Sequence, residues 1–280
     1  MKAYIYLNEQ KDPKFLNTKK VIQLFQEENI VCILHKRFEN KISIDGVVLL
    51  EETEAIEQCD LVVTIGGDGT ILHVASLLFE SEKPILGINL GRVGFLALTE
   101  PDELHFIKKI KKNEYFIEKR ALLNIYLNGE KKGTALNELL VSQGALSKAI
   151  EIELYCDNML VNSYRADGLL IATPTGSTAY SLSAGGPIVD TKMATLLVTP
   201  ICAHSLYSPS LVLSEERKLD IKMSPYEYAN TFTATIDGHI NFSFGKDDIV
   251  SVSKSDSHIY LVSFDSSKQF SSIDTKLKWR

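Results

Sequence analysis

The feature that most limits the possible folds is a short apolar run that leads directly into a glycine-rich turn. The run Leu61-Val62-Val63-Thr64-Ile65 is apolar and β-branched, which predicts a buried strand of a parallel sheet. Gly66-Gly67-Asp68-Gly69-Thr70 follows at once, and a helical pattern over Ile71–Phe79 comes next. A strand, a tight turn and a helix in this order predict a β/α unit, and hence an open parallel sheet flanked by helices.

The same alternation extends over the N-terminal part of the chain. Further strands are predicted over Ala3–Leu7, Val31–Leu34 and Pro84–Asn89, and further helices over Lys14–Asn29 and Thr53–Gln58. The sequence therefore predicts a Rossmann-like α/β domain over residues 1–104, with an open and mainly parallel sheet. In such a sheet, ligands bind beyond the carboxyl ends of the strands.

Beyond residue 105 the helical periodicity largely disappears, and strands separated by turn signals replace it. Hairpins are predicted at Asn128-Gly129, at Cys156-Asp157-Asn158 and at Asp237-Gly238. We expect an all-β, sandwich-like domain over residues 105–264, and the polar residues 265–280 are candidates to pack back on the first domain. The length of 280 residues also favours two domains over one core.

Composition excludes several classes of protein. The net charge is −6 and no long basic run occurs, which argues against a nucleic-acid partner or a membrane surface. The N-terminal apolar stretch is too short for a signal peptide. The 4 cysteines are scattered without a Cys-x-x-Cys pair, so we expect reduced thiols and a cytoplasmic protein, with no structural metal site.

The glycine-rich turn predicts an anion-binding site. Its glycines leave room for a phosphate chain, and the backbone N–H groups at the start of the next helix favour anions. A carboxylate at Asp68 is unfavourable beside phosphates unless it accepts a proton from a hydroxyl nucleophile or meets a metal ion. The alternative is that Asp68 only caps the helix. The chain contains no P-loop, no complete Gly-x-Gly-x-x-Gly and no Gly-x-Ser-x-Gly.

Two later segments carry polar groups suited to a ligand. A strand over Leu169–Ala172 leads into Thr173–Ser181, which is rich in hydroxyls and includes Tyr180, a side chain able to stack on a base. An ordinary Ser/Thr-rich loop that caps a helix explains this segment equally well. The pair Asn137-Glu138 can bind ribose hydroxyls or an adenine edge, although adjacent polar residues alone are not specific.

Together these motifs resemble a known family. Gly66–Thr70 is similar to the Gly-Gly-Asp-Gly-Thr signature of NAD kinases, of diacylglycerol and sphingosine kinases and, more loosely, of phosphofructokinases. Further matches follow in the order of the NAD kinases, over roughly residues 60–240. They are Gly87–Leu96, Asn137-Glu138, Ala166–Tyr180 with Gly185-Gly186-Pro187, and Thr199-Pro200-Ile201-Cys202 with His204-Ser205-Leu206. The chain therefore resembles a bacterial NAD kinase, using ATP or polyphosphate.

The resemblance implies the NAD kinase fold and a reaction. Asp68 would be the general base or metal-linked carboxylate at the 2′-hydroxyl of the adenosine ribose of NAD. The phosphates of the donor would lie on Gly66, Gly67, Gly69 and Thr70, with Mg²⁺ or another divalent cation accompanying ATP. No site that binds a metal through protein ligands alone is implied.

The resemblance also implies a set of NAD-binding residues. They are Asp68, Gly69, Asn137, Glu138, Asp167, Thr175, Thr178, Ala179, Tyr180 and Ser183. Asp167 would contact the nicotinamide end, often across a subunit boundary, and the resemblance to the family is the only ground for expecting a homo-oligomer (a dimer or a tetramer). The later Asp-Gly pair of the family corresponds to Asp237-Gly238, which a hairpin turn explains equally well.

Two departures from the family pattern concern substrate contacts or subunit packing. Tyr207-Ser208-Pro209-Ser210 stands where many members carry Arg-Pro, and His239 stands where glutamine is frequent. Two alternative functions remain at this point. A lipid kinase of the same superfamily would need an apolar channel or a membrane-facing surface, and a non-catalytic NAD(P)-binding sensor would be expected to lack Asp68.

Overall fold

The computed structural model describes residues 1–91, 94–143, 149–205, 208–224, 227–265 and 273. The described chain divides into two compact units. Met1–Lys119, together with the described residues from Ile259 onward, form the first unit, and Arg120–His258 form the second.

The first unit alternates strands and helices. Its strands are β1 (Lys2–Leu7), β2 (Val31–His35), β3 (Val47–Leu50), β4 (Leu61–Gly66) and β5 (Ile85–Asn89). Its helices are α1 (Leu16–Glu27), α2 (Glu52–Gln58) and α3 (Asp68–Leu77), with 3₁₀ helices at Lys36–Phe38 and Leu104–Lys112. The strands pair in parallel in the order β3-β2-β1-β4-β5, so the predicted Rossmann-like parallel sheet is confirmed.

The order of the strands defines a crevice. The chain extends the sheet from β1 through β2 to β3 on one side, and from β4 to β5 on the other side. β1 and β4 are therefore the neighbours at which the direction of winding reverses, and Leu7 pairs with Ile65 at their carboxyl ends. Such a switch point is where open α/β sheets bind their ligands, because the two loops that follow these strands separate there.

The core of this unit follows from the apolar patterns in the sequence. Every residue of β4 is buried, and α1 buries Val21, Ile22 and Phe25 at helical spacing. Each such side chain contributes roughly 1.5–3 kcal/mol. The helix begins at Leu16 rather than at Lys14, because Phe15 has φ of 54° and its ring packs edge-on against Phe38.

The second unit is built almost entirely from strands. They are β6 (Phe116–Leu127), β7 (Glu130–Ala135), β8 (Glu138–Ser142), β9 (Ile150–Cys156), β10 (Met159–Ala166), β11 (Gly168–Ala172), β12 (Thr195–Ile201), β13 (Leu211–Ser214), β14 (Leu219–Met223), β15 (Thr231–Ile236), β16 (Ile240–Gly245) and β17 (Val250–Ser263). A 3₁₀ turn at Thr175–Thr178 and the short helix α4 (Tyr180–Ser183) interrupt them.

These strands form a sandwich of two antiparallel layers. One layer has the order β10-β9-β14-β17, with β6 paired to β17 and to β7, and the other has the order β13-β12-β11-β8-β15-β16. A single apolar cluster takes residues from both layers, for example Leu154 and Ile221 from the first and Leu169 and Val198 from the second. The predicted hairpins β6–β7, β9–β10 and β15–β16 all form.

Four features of the chain bear on the sequence predictions. Leu104, at the predicted boundary, and Ile107 and Ile110 beyond it belong to the core of the first unit. Beyond Asp265, the tail that was a candidate to pack back lies outside the described residues, apart from residue 273. All of the cysteines carry free thiols. In the described part of the chain, no helix is long and apolar enough to cross a membrane.

Candidate active site

The glycine-rich turn connects β4 to α3 and leaves the start of that helix open. Gly66 ends the strand, and Gly67, which has no side chain to cap the helix, stands at the N-cap position. The carbonyl oxygen of Gly67 accepts the N–H groups of Thr70 and Ile71 at 2.8 and 3.3 Å. Apart from its chain neighbours and the backbone of its own helix, no atom of a described residue lies within 4 Å of the place that a Cβ would take at Gly69. The first turn of α3 therefore faces open space that suits an anion.

The carboxylate of Asp68 is held by backbone rather than by its own helix. It accepts the N–H groups of Phe95 at 3.0 Å, Leu96 at 3.2 Å and Ala97 at 3.1 Å. These three hydrogen bonds lead away from α3, so capping this helix is not the sole role of the side chain. The residue is half-buried, so its carboxylate is fixed in place without being sealed from solvent.

The segment after β5 folds back beside the turn. Asn89 ends β5, and its side-chain oxygen accepts the N–H of Gly91 at 2.9 Å. Its amide group donates to both carboxylate oxygens of Glu100 at 3.1 Å, and Leu90 N–H donates to the carbonyl oxygen of Gly66 at 2.5 Å. The predicted motif Gly87–Leu96 thus lies next to the glycine-rich turn, except that residues 92 and 93 lie outside the description.

A cavity of about 430 Å³ adjoins this turn within the first unit. The side chains that matter for its chemistry are Tyr6, Asn8, Arg37, Thr70 and His73. The rings of Tyr6 and His73 lie 5.5 Å apart, and burial raises the pKa of Tyr6 against the opposing effect of Arg37. The sequence motifs did not indicate this cavity. The strand order could have indicated the cavity, because Tyr6 and Arg37 lie near the carboxyl ends of the paired strands β1 and β2.

In the second unit, Asp237 holds the predicted Asn137-Glu138 pair. Its carboxylate accepts the N–H groups of Leu136 at 2.8 Å, Asn137 at 2.8 Å and Glu138 at 3.0 Å. Thr173 contacts the same segment from the end of β11, because its hydroxyl donates to the carbonyl oxygen of Leu136 at 2.6 Å. Asp237 is therefore more than a turn residue, since it determines the backbone path of the pair.

Glu138 is a buried carboxylate with unused hydrogen-bonding capacity. Its side chain is 8% exposed, and among the described residues its Oε2 atom has no hydrogen-bond partner. Burial, reinforced by the charge of Asp237, raises the pKa of Glu138 to about 7, against the backbone N–H of Tyr180. Burial likewise raises the pKa of Asp237. A ligand that donates a hydrogen bond here would satisfy a group that otherwise costs free energy.

The hydroxyl-rich loop after β11 packs directly on this pair. A Cβ on Gly176 would collide with the backbone of Asn137, so only glycine permits this contact. The N–H of Gly176 donates to the hydroxyl of Thr173 at 3.1 Å, and the hydroxyl of Thr178 donates to the carbonyl oxygen of Thr175 at 3.3 Å. The loop is a 3₁₀ turn followed by α4, so the segment does begin a helix, and its role in ligand binding stays a prediction.

The structure brings most of the predicted residues of the second unit together. Thr175, Thr178, Ala179 and Tyr180 follow β11 next to Asn137 and Glu138, and Ser183 ends α4 with an exposed side chain. Asp167 is the exception, because it precedes β11 and lies near Ser142, at the far end of the strand. At about 3.3 Å per residue, the strand separates it from Thr173 by roughly 20 Å.

The two departures from the family pattern are only partly described. His239 follows the Asp237 turn, and its Nδ1 lies 2.9 Å from the carbonyl oxygen of Asp237. Residues 206 and 207 lie outside the description, so only Ser208-Pro209-Ser210 of that departure is seen. Among the described residues, no cluster of three or more His, Cys, Asp or Glu side chains could hold a metal ion.

The sequence of this chain is similar to those of known proteins over most of its length. The sequence profile described as the ATP-NAD kinase N-terminal domain matches residues 12–115, and the one described as the ATP-NAD kinase C-terminal domain matches residues 136–264. An NAD kinase of Caldicellulosiruptor saccharolyticus is 43% identical over 209 residues, which cover 74% of this chain and 78% of the relative.

Two solved structures share the fold. The crystal structure of yeast NADH kinase complexed with NADH has a TM-score of 0.89 at 24% identity, covering 100% of this chain and 88% of that chain. The crystal structure of an NAD kinase from Archaeoglobus fulgidus in complex with ATP has a TM-score of 0.77 at 28% identity, covering 99% of each chain.

Proposed function

The chain belongs to the NAD kinase family and is a kinase, and on this basis we propose that it phosphorylates the 2′-hydroxyl of the adenosine ribose of NAD. The observation that carries the proposal is the position of Asp68. Asp68 lies in the first turn of α3 beside the open space at Gly69, and the backbone N–H groups of residues 95–97 hold its carboxylate in place. A base and an anion-binding helix start then lie within one turn, as phosphoryl transfer to a hydroxyl requires.

The donor in this proposal is ATP, with polyphosphate as the other source of the same phosphate chain. Its phosphates would lie on Gly66, Gly67, Gly69 and Thr70, which combine backbone N–H groups with the positive end of α3. The Archaeoglobus relative was solved in complex with ATP. A divalent cation such as Mg²⁺ would neutralise charge on the donor, held mainly by phosphate oxygens and water with Asp68 as the nearby carboxylate.

In the proposed reaction step, Asp68 accepts the proton that the nucleophile loses. The ribose 2′-oxygen would bond to the terminal phosphorus while the bridging P–O bond of the donor breaks, and the hydroxyl proton would pass to the Asp68 carboxylate. The departing nucleoside diphosphate, or shortened polyphosphate, carries away the electron pair of the broken bond. The backbone N–H groups that hold the carboxylate keep it in place while the proton moves.

The NAD-binding residues belong mainly to the second unit. We propose that Glu138 accepts hydrogen bonds from the adenosine part through its unpartnered oxygen, next to Asn137. Thr175, Thr178, Ala179, Tyr180 and Ser183 would line the same pocket, and Asp68 and Gly69 would contact the reacting ribose. Because Asp167 lies at the other end of β11, its proposed contact with the nicotinamide end is from a second subunit, so the active form would be a homo-oligomer. Free thiols at all four cysteines support a cytoplasmic location.

A coupled assay tests this proposal. The purified protein is incubated with NAD, Mg²⁺ and either ATP or polyphosphate, and the product is detected with a dehydrogenase that accepts only 2′-phosphorylated dinucleotide. We expect product with at least one donor. With NADH in place of NAD the product is already reduced, so the dehydrogenase is run in the direction that oxidises it, and the two rates show which acceptor is preferred. Absence of product with every donor would contradict the proposed reaction.

A further inference from the structure

The loop that follows β1 places a lysine over the glycine-rich turn. A side chain at Gly67 would collide with the ammonium group of Lys11, and a Cβ at Gly91 would lie 3.1 Å from Lys11 Nζ. The two glycines are also close to each other, because that Cβ at Gly91 would lie 3.4 Å from the Cα of Gly67. The ammonium therefore lies over a notch that stays open only because both residues lack side chains.

The backbone of this loop is tied to the site. The carbonyl and side-chain oxygens of Asn8 accept the N–H of Lys11 at 3.1 and 3.3 Å. Asn8 in turn donates its own N–H to the carbonyl oxygen of Ile65 at 2.9 Å, and its amide group to the hydroxyl of Thr70 at 3.4 Å. The loop after β1 is thus bonded to the end of β4 and to α3, as expected where the winding of the sheet reverses.

In the described part of the chain, the charge of Lys11 is not paired with a carboxylate. Asp12, its neighbour, is buried and accepts the N–H and the hydroxyl of Thr18 at 2.8 and 2.7 Å. Glu9 forms an ion pair with Lys41 at 2.7 Å. Within the ranges that the structure describes, no carboxylate lies within ion-pair distance of Lys11. The nearest acidic residues in sequence are therefore engaged elsewhere, and the cation is available to a ligand.

We propose that Lys11 binds the phosphates of the donor, together with the N-terminus of α3. The proposal rests on the phosphoryl transfer proposed above. The chain lacks a P-loop lysine, and the Lys11 ammonium over the glycine notch supplies the same point charge. The proposed ligand of Lys11 is the phosphate chain, which ATP and inorganic polyphosphate share. The binding of both donors should therefore depend on Lys11 to a similar extent.

Steady-state kinetics with matched variants tests this role. Lys11→Met removes the charge and keeps an unbranched side chain, Lys11→Arg keeps the charge, and Lys14→Met is the control at an exposed lysine in the same loop. We expect Lys11→Met to raise the KM of each donor by about 10- to 100-fold, with the KM of NAD changed less than about 3-fold. Lys11→Arg should recover most of the loss, and Lys14→Met should match the unaltered protein.

The outcomes separate this inference from the proposed function. If the unaltered protein forms product and Lys11→Met has unchanged KM values for ATP and polyphosphate, Lys11 does not bind the donor. An equal rise in the KM of NAD, or an equal loss in Lys14→Met, would also overturn the assignment. If the unaltered protein forms no product with any donor, the proposed reaction itself fails. Thermal unfolding of each variant verifies that the exposed substitutions leave the fold intact.

Discussion

At the scale of single residues, what a carboxylate can do depends on the groups that already contact it. Asp68 is partly open to solvent and held by three backbone N–H groups, whereas Glu138 is buried and one of its oxygens has no partner among the described residues. The first arrangement favours a fixed proton acceptor and the second favours a ligand-binding group. Both roles lead to predictions that can be measured on the isolated protein.

The first prediction concerns turnover. Asp68→Asn removes the proton acceptor and keeps the size of the side chain, so we expect kcat to fall by on the order of 10²–10⁴ while the KM of NAD stays close to its original value. An amide also places N–H donors against the N–H groups of Phe95, Leu96 and Ala97, so thermal unfolding must be measured alongside. Near-normal turnover in a folded variant would remove Asp68 from the chemical step.

The second prediction concerns the pH dependence of stability. Because the folded-state pKa of Glu138 is raised from 4.5 to about 7, the folded state binds more protons than the unfolded state between these values. The free energy of unfolding should therefore fall as the pH rises through this window. Above the folded-state pKa, the stability that protonated Glu138 contributes is lost. Glu138→Gln should flatten this slope in urea unfolding from about pH 5 to about pH 8.

A matched control is available for this measurement. Glu130 is an exposed glutamate in the same unit, paired with Lys132 at 2.7 Å. Glu130→Gln should leave the slope of the unaltered protein unchanged. If Glu138→Gln shows the full original slope, the groups that titrate in this range lie elsewhere.

At the scale of elements, the turn between β15 and β16 determines the position of the residues that begin β8. Asp237→Asn leaves one acceptor oxygen for three N–H groups, and each unsatisfied buried donor costs about 1–3 kcal/mol. We expect a loss of stability in that range and a larger rise in the KM of NAD than fall in kcat. The KM measurement separates a positioning role from a purely structural one.

Asp248→Asn provides the comparison. Asp248 also accepts a backbone N–H in a turn of the second unit, that of Gly245 at 2.6 Å, but it lies away from Asn137 and Glu138 in the sheet. This variant should lose some stability without a change in the KM of NAD. A similar effect of both variants on that KM would show that Asp237 has no specific role in NAD binding.

At the scale of the whole molecule, β17 is a strand of both units. Its first part pairs with β14 in the second unit, and Leu261 pairs with Ile85 of β5 in the first. A chain that ends at residue 249 loses Val250, Val252 and Val262 from the two cores. We expect this truncated chain to show no cooperative unfolding by circular dichroism, in contrast to the complete chain. A cooperative transition in the truncated chain would show that at least one unit folds without the strand.

Much of the fold could be predicted from local patterns. The fully apolar β4, the amphipathic α1 and the hairpins at Asn128-Gly129 and Asp237-Gly238 are dictated by burial periodicity and by turn chemistry, which act over a few residues. The strand β3 was missed because it is short, its apolar residues show no alternation in the sequence, and none of them is buried, with Val48 exposed. The helix start at Leu16 was also missed, since the conformation of Phe15 depends on its contact with Phe38.

By itself, the sequence determined the class of the fold and the family, because glycine-rich turns and apolar runs are local and their order along the chain is specific. Only the tertiary structure decided which groups meet. The three N–H groups on Asp68, the clamp of Asp237 on Asn137-Glu138 and the placement of Lys11 over Gly67 join residues from separate elements. The sequence carries no local signal for such contacts, because they depend on strand order and register, which arise only when the sheets assemble.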